Sequence, residues 1–508
     1  MRSLRPGVTG PPAVLGIDLG TSQVKALLCA ADGTVLGQGA AGYPVSTPRD
    51  GWAETDPEQW WRATAAAVRS AAGPRPAGAA AIAVVGQMHG LVLYAERSGV
   101  LRPAILWLDR RADAEVEDYQ RLPDALRAPL GNAPSAGMAG PILLWLARHE
   151  PAAYRQADWM LQPKDWLRTR LTGRPGTEPT DASGTLLYDL DRGDWAAGLA
   201  EALGLRTGLF PPILESAQVA GSLLPAAAEH LGLRPGIPVA AGASDTAASL
   251  HAVSLSAVSL SAEPLAPGWG LLTLGSGGQW IIPGTGTSPR PAAGTNLFRS
   301  VDGGTFRLAG AQNVGVTLDW VRRTLGASWD GLYGTAARPW RPGTPVFLPY
   351  LAGERWAHRD SGGAWTGLTL AHQRDDLLRA ALEGVAFLLR GQLDDLRAAA
   401  ELTGEQAPVL VLLAGGGSRP AAWRQLLADV LDVPLQPAPV PGGSAAAGWL
   451  TARGAALLAA QAAGLTATAG LAARAGTPDR SDPVPAVVLP RETAAAERAY
   501  QEFRSARA

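Results

Sequence analysis

The strongest constraint in this chain is a pattern used three times: a short apolar run that stops abruptly at glycine. Val14–Asp18 runs into Gly20-Thr21-Ser22, Leu271–Leu274 into Gly275-Ser276-Gly277-Gly278, and Val409–Leu413 into Gly415-Gly416-Gly417-Ser418. Short apolar runs bounded in this way read as buried strands. After the first loop Val24–Cys29 continues as a second run, Ala31-Asp32-Gly33 turns the chain, and Thr34–Gly37 is a third short strand. Two strands joined by a glycine turn form a β-hairpin. The same strand–glycine turn–strand arrangement at Gly20 and again at Gly275 is a weak internal repeat, and it predicts two similarly built lobes.

Helical signals alternate with these strands. Thr55-Asp56-Pro57-Glu58 has the form of a helix start, with a capping side chain, an early proline and an acid, and the helix is expected to reach about Ser70. Ala79–Val85 is a further buried strand, ending at Gly86-Gln87-Met88-His89-Gly90, and Ile237–Ala241 breaks at Gly242-Ala243-Ser244-Asp245, where a helix begins. Leu377 to about Ala399 carries a helical apolar stripe, and Trp423–Leu431 reads as the helix after the third glycine loop. Such alternation predicts α/β layers. The lobe boundary is expected near residues 250–270, with an N-terminal lobe over 13–253 and a C-terminal lobe over 254–480. A loose tail over 1–12 precedes them, and a tail or terminal helix over 481–508 follows. The direct repeat AVSLSAVSLS (Ala252–Ser261), followed by Glu263-Pro264, reads as a surface insertion of low complexity.

Composition narrows the function. The chain has 508 residues, 47% apolar and 18% charged, with a formal net charge of −1. That is ample material for packed cores, and the absence of basic excess argues against a nucleic-acid footprint or docking on an anionic membrane. The single cysteine, Cys29, builds neither a disulfide framework nor a zinc cluster and reads as a small apolar strand residue. The first dozen residues have no apolar segment of signal-peptide type. No charge falls between Arg453 and Arg474, but the stretch is mostly Ala, Gly and Thr, so a buried Ala-rich helix or helix pair is expected rather than a membrane span. A cytoplasmic enzyme is the expectation.

Glycine loops at strand ends suit phosphate, because backbone N–H groups must approach closely and side chains obstruct them. None of the three is a Walker A loop or a Rossmann fingerprint with its acidic partner. Asp18, beside Gly20, Thr21 and Ser22, is placed to hold Mg²⁺ through water next to the phosphates; an Asx-type turn is the bland alternative. On the residues alone Asp245 is equally a helix N-cap or a general base. Met88 and His89 follow a strand and suggest a pocket wall, although a lone histidine is more often a structural hydrogen-bonder. Trp107 and Asp109 are candidates for the same pocket, by stacking on a sugar and accepting from its hydroxyls.

Taken together, these motifs resemble the FGGY family of carbohydrate kinases over roughly residues 13–460. The resemblance rests on GIDLGTS (Gly16–Ser22), WAETDPEQWW (Trp52–Trp61), GQMHG (Gly86–Gly90), LRPAILW (Leu101–Trp107), PKDWLRTRLTG (Pro163–Gly173), TDASGT (Thr180–Thr185), GASD (Gly242–Asp245), LPYLAGER (Leu348–Arg355) and GGGSRPAAWRQLLAD (Gly415–Asp429). It implies two ribonuclease-H-like lobes of actin/hexokinase type, with mixed sheets flanked by helices and a cleft between them for ATP and sugar. It implies Asp245 as catalytic base, Asp18 for nucleotide and metal handling, and Met88 and His89 for sugar contact. Gly275, Ser276 and Gly277 are implied near the phosphates, and Gly416, Gly417 and Gln425 near the adenosine. The expected reaction is ATP- and Mg²⁺-dependent phosphorylation of D-xylulose at O5. Another ketose, a pentitol, gluconate or glycerol is the near alternative, and a nucleotide switch or an inactive sugar sensor on the same core is the distant one. A homodimer would rest on analogy alone. The chain departs from the family pattern at Thr246 (usually Asn), Leu108, Ile142 (commonly Lys) and the GSGG loop. These positions surround sugar or phosphate and bear on substrate identity rather than on reaction class.

Overall fold

The computed structural model describes residues 12–30, 34–73, 78–261, 265, 268–284, 292, 294–351, 362–438, 447–465 and 486–507. The tail expected at 1–12 (Pro12 apart), the turn at Ala31-Asp32-Gly33, Glu263-Pro264 and the second half of LPYLAGER lie outside them.

The first glycine loop joins β1 (Ala13–Leu19) to β2 (Gln23–Ala30), antiparallel with Leu19 opposite Val24. Every residue of β1 is buried, as its apolar run requires. β3 (Val35–Gly42) pairs antiparallel with β2 and runs five residues past the expected Gly37. Its glycines and alanines carry no apolar signal; pairing with β2, under a helix that packs across both strands, extends it. That helix is α1 (Pro57–Ala72), capped by Asp56, whose side chain accepts from the Glu58 N–H. β4 (Ala79–Gly86) runs parallel to β1. After an insertion of small sheets and helices come α2 (Pro163–Thr172), β5 (Val219–Ser222), β6 (Pro238–Ala240) and β7 (Ala243–Ser244). The seven-stranded sheet has the order β5-β6-β4-β1-β2-β3, with β7 also on β4. The break between β6 and β7 is Gly242, at φ +94° with the Val84 carbonyl where a Cβ would stand, so no other residue fits there unstrained.

α3 (Asp245–Ser261) leads out of this sheet. The second sheet opens with β8 (Trp269–Leu274) and β9 (Gly278–Gly284), a hairpin around the second glycine loop. β10 (Asn296–Arg299) and β11 (Thr305–Ala311) follow, then α4 (Gly315–Thr324) and the long α5 (Arg374–Thr403). β12 (Leu410–Ala414) lies parallel to β8, α6 (Ala421–Leu431) returns, and β13 (Leu435–Pro437) pairs with β12. The order is β10-β11-β9-β8-β12-β13. Each sheet therefore places one strand antiparallel beyond its hairpin and one parallel strand on the hairpin's other side, which is the two-lobe repeat expected from the glycine loops.

α7 (Leu450–Ala462) is the Ala-rich helix, and α8 (Thr493–Arg507) closes the described chain. One core cluster takes Val14, Cys29 and Ala83 from the first sheet, Leu271, Phe306 and Leu412 from the second, and Ala248, Ala252, Ala455 and Ala456 from α3 and α7. The AVSLSAVSLS repeat is thus no surface insertion: it continues α3, with Ala252, Val253 and Ser256 buried. Spacing by four puts Ala248, Ala252 and Ser256 on one helical face, and their small side chains let that face pack tightly. Among the described residues no helix is long and apolar enough to cross a membrane.

α7 comes so close to its neighbours that a Cβ on Gly454 would overlap the Ala248 carbonyl of α3. Gly454→Ala is expected to lower unfolding stability by about 1–3 kcal/mol through overpacking, measured by thermal denaturation. Gly334→Ala, where a Cβ meets open space, is expected to stay within about 0.5 kcal/mol of the parent.

Candidate active site

Asp18 ends the buried β1, and Ser244-Asp245 stands where β7 turns into α3. Both strands pair in parallel with β4, Asp18 opposite Val85 and Ser244 opposite Gly86. The two acids therefore share one end of the sheet with a single strand between them, roughly 10 Å apart by strand spacing. The electrostatics agree. Burial pushes the Asp18 carboxyl up to about 7, the charge of Asp245 adds to the rise, and Lys25 opposes it. Burial likewise raises Asp245 to about 6, against hydrogen bonds from Thr246.

The choice between cap and base at Asp245 turns on its neighbour. Ser244 caps α3, its hydroxyl accepting from the Ala247 N–H at 3.3 Å. Asp245 Oδ1 accepts from the N–H (2.6 Å) and hydroxyl (3.1 Å) of Thr246. The carboxylate is thereby fixed through one oxygen, and Oδ2 is not engaged in capping the helix. The unusual Thr246 takes part in this through its own hydroxyl.

Around the first loop, the Tyr43 hydroxyl donates to the Gly20 carbonyl and Trp107 Nε1 to Thr21 Oγ1 at 2.9 Å, while Ser22 is exposed. Tyr43 was not apparent from its local sequence, since it follows a run of glycine and alanine with no motif of its own. Met88 is buried, and His89 holds a left-handed φ of +72°. The His89 N–H donates to Gln162 Oε1 (3.2 Å), and Nδ1 lies 2.8 Å from the Gly184 carbonyl, which selects the Nδ1-protonated tautomer. Its ring lies 5.6 Å from Phe298 of β10, so this residue joins the two lobes.

Asp109 departs from expectation. Its Oδ1 accepts from the Arg111 N–H and Nε, and its Oδ2 from Arg111 Nη2 and the Ala53 N–H. All four acceptor positions of the carboxylate are filled, and the Arg111 guanidinium itself lies 3.6 Å from the Trp52 ring centroid and 5.1 Å from that of Trp145. Asp109 is a structural ion-pair partner, and the bonds to Arg111 and Ala53 leave it no acceptor position for the sugar hydroxyl expected from the sequence. Ile142 is likewise core, fully buried.

In the second lobe, Gly275 and Ser276 are exposed at the end of β8. Gly415, at φ +89°, lies against the Leu274 carbonyl, so the second and third glycine loops sit side by side at the ends of two parallel strands. Gly416 is exposed with open space above it. α4 begins at the same place: the Val316 N–H donates to the Ser276 carbonyl at 2.9 Å. A helix N-terminus thus joins the two loops, which favours an anion. The sequence reading missed it, although Gly315 directly before an amphipathic run was the available signal. Gln425 stands half-buried on α6, the helix after the third glycine loop. Its amide nitrogen donates to Asp429 Oδ1 (2.9 Å) and the Leu489 carbonyl (3.0 Å), which ties it to the C-terminal segment.

Two ribonuclease-H-like lobes, one with the two acids and a glycine loop at its strand ends and the other with two glycine loops at its strand ends, define a kinase of the actin/hexokinase type. A sequence model described as the FGGY family of carbohydrate kinases, N-terminal domain, matches residues 13–251, and its C-terminal counterpart matches residues 273–463. The chain belongs to the FGGY family of carbohydrate kinases, enzymes that use ATP. It is 35% identical to the xylulose kinase of Escherichia coli (strain K12) over 422 residues, covering 82% of this chain and 84% of that one. Among solved structures, a xyloylose kinase from Brucella ovis matches with a TM-score of 0.83 at 30% identity, covering 97% of this chain and 98% of that one. The xylulose kinase of Rhodospirillum rubrum matches with a TM-score of 0.79 at 28% identity and the same coverage.

The raised carboxyls set a test on stability. A carboxyl that holds its proton more tightly when folded contributes stability below its unfolded value near 4, and that contribution is lost as pH rises through the folded value. At about 1.4 kcal/mol per pKa unit, Asp18→Asn is expected to be more stable than the parent at pH 8, by on the order of 2–4 kcal/mol. The gain should vanish near pH 4. Thermal denaturation of the ligand-free protein across this range checks it.

Proposed function

We propose that this kinase transfers the γ-phosphoryl group of ATP to O5 of D-xylulose, giving D-xylulose 5-phosphate and ADP. The observation that carries the mechanism is the division of labour at the start of α3, where Ser244 caps the helix and one oxygen of Asp245 is left for an acceptor alcohol. The acceptor is supported by the likeness to xylulose kinases at 33–35% identity over more than four-fifths of the chain.

Asp245 takes the proton of the attacking hydroxyl. With its carboxyl raised to about 6, it is ionised at neutral pH yet more basic than an ordinary carboxylate, which suits a general base. Met88 and His89 line the sugar side in the N-terminal lobe, residues 13–253, with Trp107 beside Thr21. Thr21 and Ser22 on one side, and Ser276, Gly277, Gly416 and Gly417 in the C-terminal lobe, 254–480, present backbone N–H groups to the phosphates, while Gly20 and Gly275 close their loops by donating to the Gln23 and Gly277 carbonyls. Closure of the lobes excludes water, which competes as acceptor.

Mg²⁺ fits this arrangement as a nucleotide-borne ion. Among the described residues there is no cluster of three or more candidate ligands, and Mg²⁺ is usually bound through one or two carboxylates, phosphates and water. Asp18, whose ionised form is disfavoured by burial and by Asp245, would hold it through water. When bound, the ion neutralises charge on the β- and γ-phosphate oxygens.

Two measurements test the reading. In a coupled ADP assay over D-xylulose, D-ribulose, gluconate and glycerol, D-xylulose should have the highest kcat/KM; a different winner changes the acceptor and leaves the kinase. Asp245→Asn should fold, bind sugar and lose kcat by about 10²–10⁴-fold. In the parent, kcat/KM should rise with pH through apparent values between about 6 and 7 that belong to the Asp18–Asp245 pair, and that limb should be lost in the variant.

A further inference from the structure

Behind the Asp245 loop lies a group of charges with no contact to solvent. Lys164 and Arg168 of α2, with Asp165, Glu178 and Asp181, are all fully buried. Lys164 Nζ is 2.7 Å from Asp165 Oδ1, 3.1 Å from Asp181 Oδ2 and 3.3 Å from Glu178 Oε1. Arg168 Nη2 is 3.5 Å from Asp165 Oδ1. Burial opposes the charge on Lys164, but Asp165, Asp181 and Glu178 hold its pKa above the ordinary value. Burial pushes Asp181 well up, against the pull of Lys164.

A cluster of this kind is a poor source of stability. Taking ions out of water costs several kcal/mol each, and apolar side chains of similar volume commonly do as well or better. Its hydrogen bonds instead converge on one loop. Glu178 Oε1 accepts from the Thr180 hydroxyl at 2.9 Å, and Thr180 Oγ1 in turn accepts from the Ser244 N–H at 2.8 Å. Glu178 Oε2 accepts from the Ser216 hydroxyl at 2.9 Å, and the Ser216 carbonyl accepts from the Gly242 N–H at 2.9 Å. Arg168 Nη1 donates to the Ala241 carbonyl at 3.2 Å. The backbone is thus gripped at 241, 242 and 244, the three residues leading to Asp245 apart from Ala243, and two of the grips meet on a single carboxylate.

We propose that this buried ionic cluster is the positioning device of the catalytic base, with Thr180 as the positioning residue that transmits its rigidity to Ser244 and hence to Asp245. The inference rests on Asp245 being the base. Thr180 has no contact with substrate in this scheme. It acts by holding the peptide that precedes the base, so its loss should let Asp245 drift from the acceptor hydroxyl and leave the binding surfaces unchanged.

Thr180→Val keeps the side-chain shape and deletes the hydroxyl, so the Ser244 N–H and Glu178 each lose a partner. The expected result is a kcat lower by about 10- to 100-fold, the range that small misplacements cost, with KM for D-xylulose and for ATP within about twofold of the parent. Thr180→Ser should restore kcat. Thr64→Val deletes another fully buried hydroxyl, in α1 and bonded only within that helix, and should leave kcat within about twofold. Should the valine variant not fold, Thr180→Ala, which leaves room for water, is read by the same criteria. Parental kcat in Thr180→Val, equal losses in Thr180→Val and Thr64→Val, or no recovery with serine would overturn the proposal. Asp245→Asn run alongside separates the two levels: if it stays active, the base assignment fails, whereas an inactive Asp245→Asn beside a fully active Thr180→Val sinks only the positioning role.

Discussion

The architecture depends on the crossing of α3 and α7 at near backbone contact. A Cβ on Gly454 would overlap Ala248 of α3, and one on Gly16 of β1 would overlap Ala452 of α7. α7 is therefore wedged between two elements, one carrying Asp18 two residues after Gly16 and the other beginning with Asp245 three residues before Ala248. Dispersion forces fall off so steeply that this packing has one geometry. The same helix pair lies in the core that draws side chains from both sheets. This packing contact thus adds to the sheet register in holding the two acids and lies in the core shared by the lobes.

Stability is spent around this contact. Two carboxyls are raised because they are buried at the same end of a sheet, His89 is held at a positive φ, and five ionisable side chains are sealed from water behind the Asp245 loop. Each arrangement is costly by itself. Together they surround the site proposed for phosphoryl transfer. Large apolar clusters in each lobe offset the cost.

Much of the layout was legible because it is written locally. Glycine after an apolar run marks a strand end whatever surrounds it, and all three loops stand at the ends of β1, β8 and β12. Asp56-Pro57-Glu58 starts a helix through its own backbone and side-chain chemistry. β3 continues to Gly42 without a sequence signal, because a strand of glycine and alanine has no apolar period to detect. The AVSLSAVSLS repeat has a five-residue period that matches no helical stripe, and only together with Ala248 do Ala252 and Ser256 mark the buried face of a helix.

The sequence by itself determined where strands stop, where helices start and which acids stand at those junctions, since these follow from contacts between near neighbours. Only the tertiary structure decided what each side chain is free to do. Arg111 and Ala53 fill every acceptor position of Asp109. Leu489 holds Gln425 from 64 residues away, and Thr180 reaches Ser244 across the same separation. A hydrogen-bonding group has few partners to give, and which distant residue takes them is settled by packing, about which periodicity and local motif carry no information.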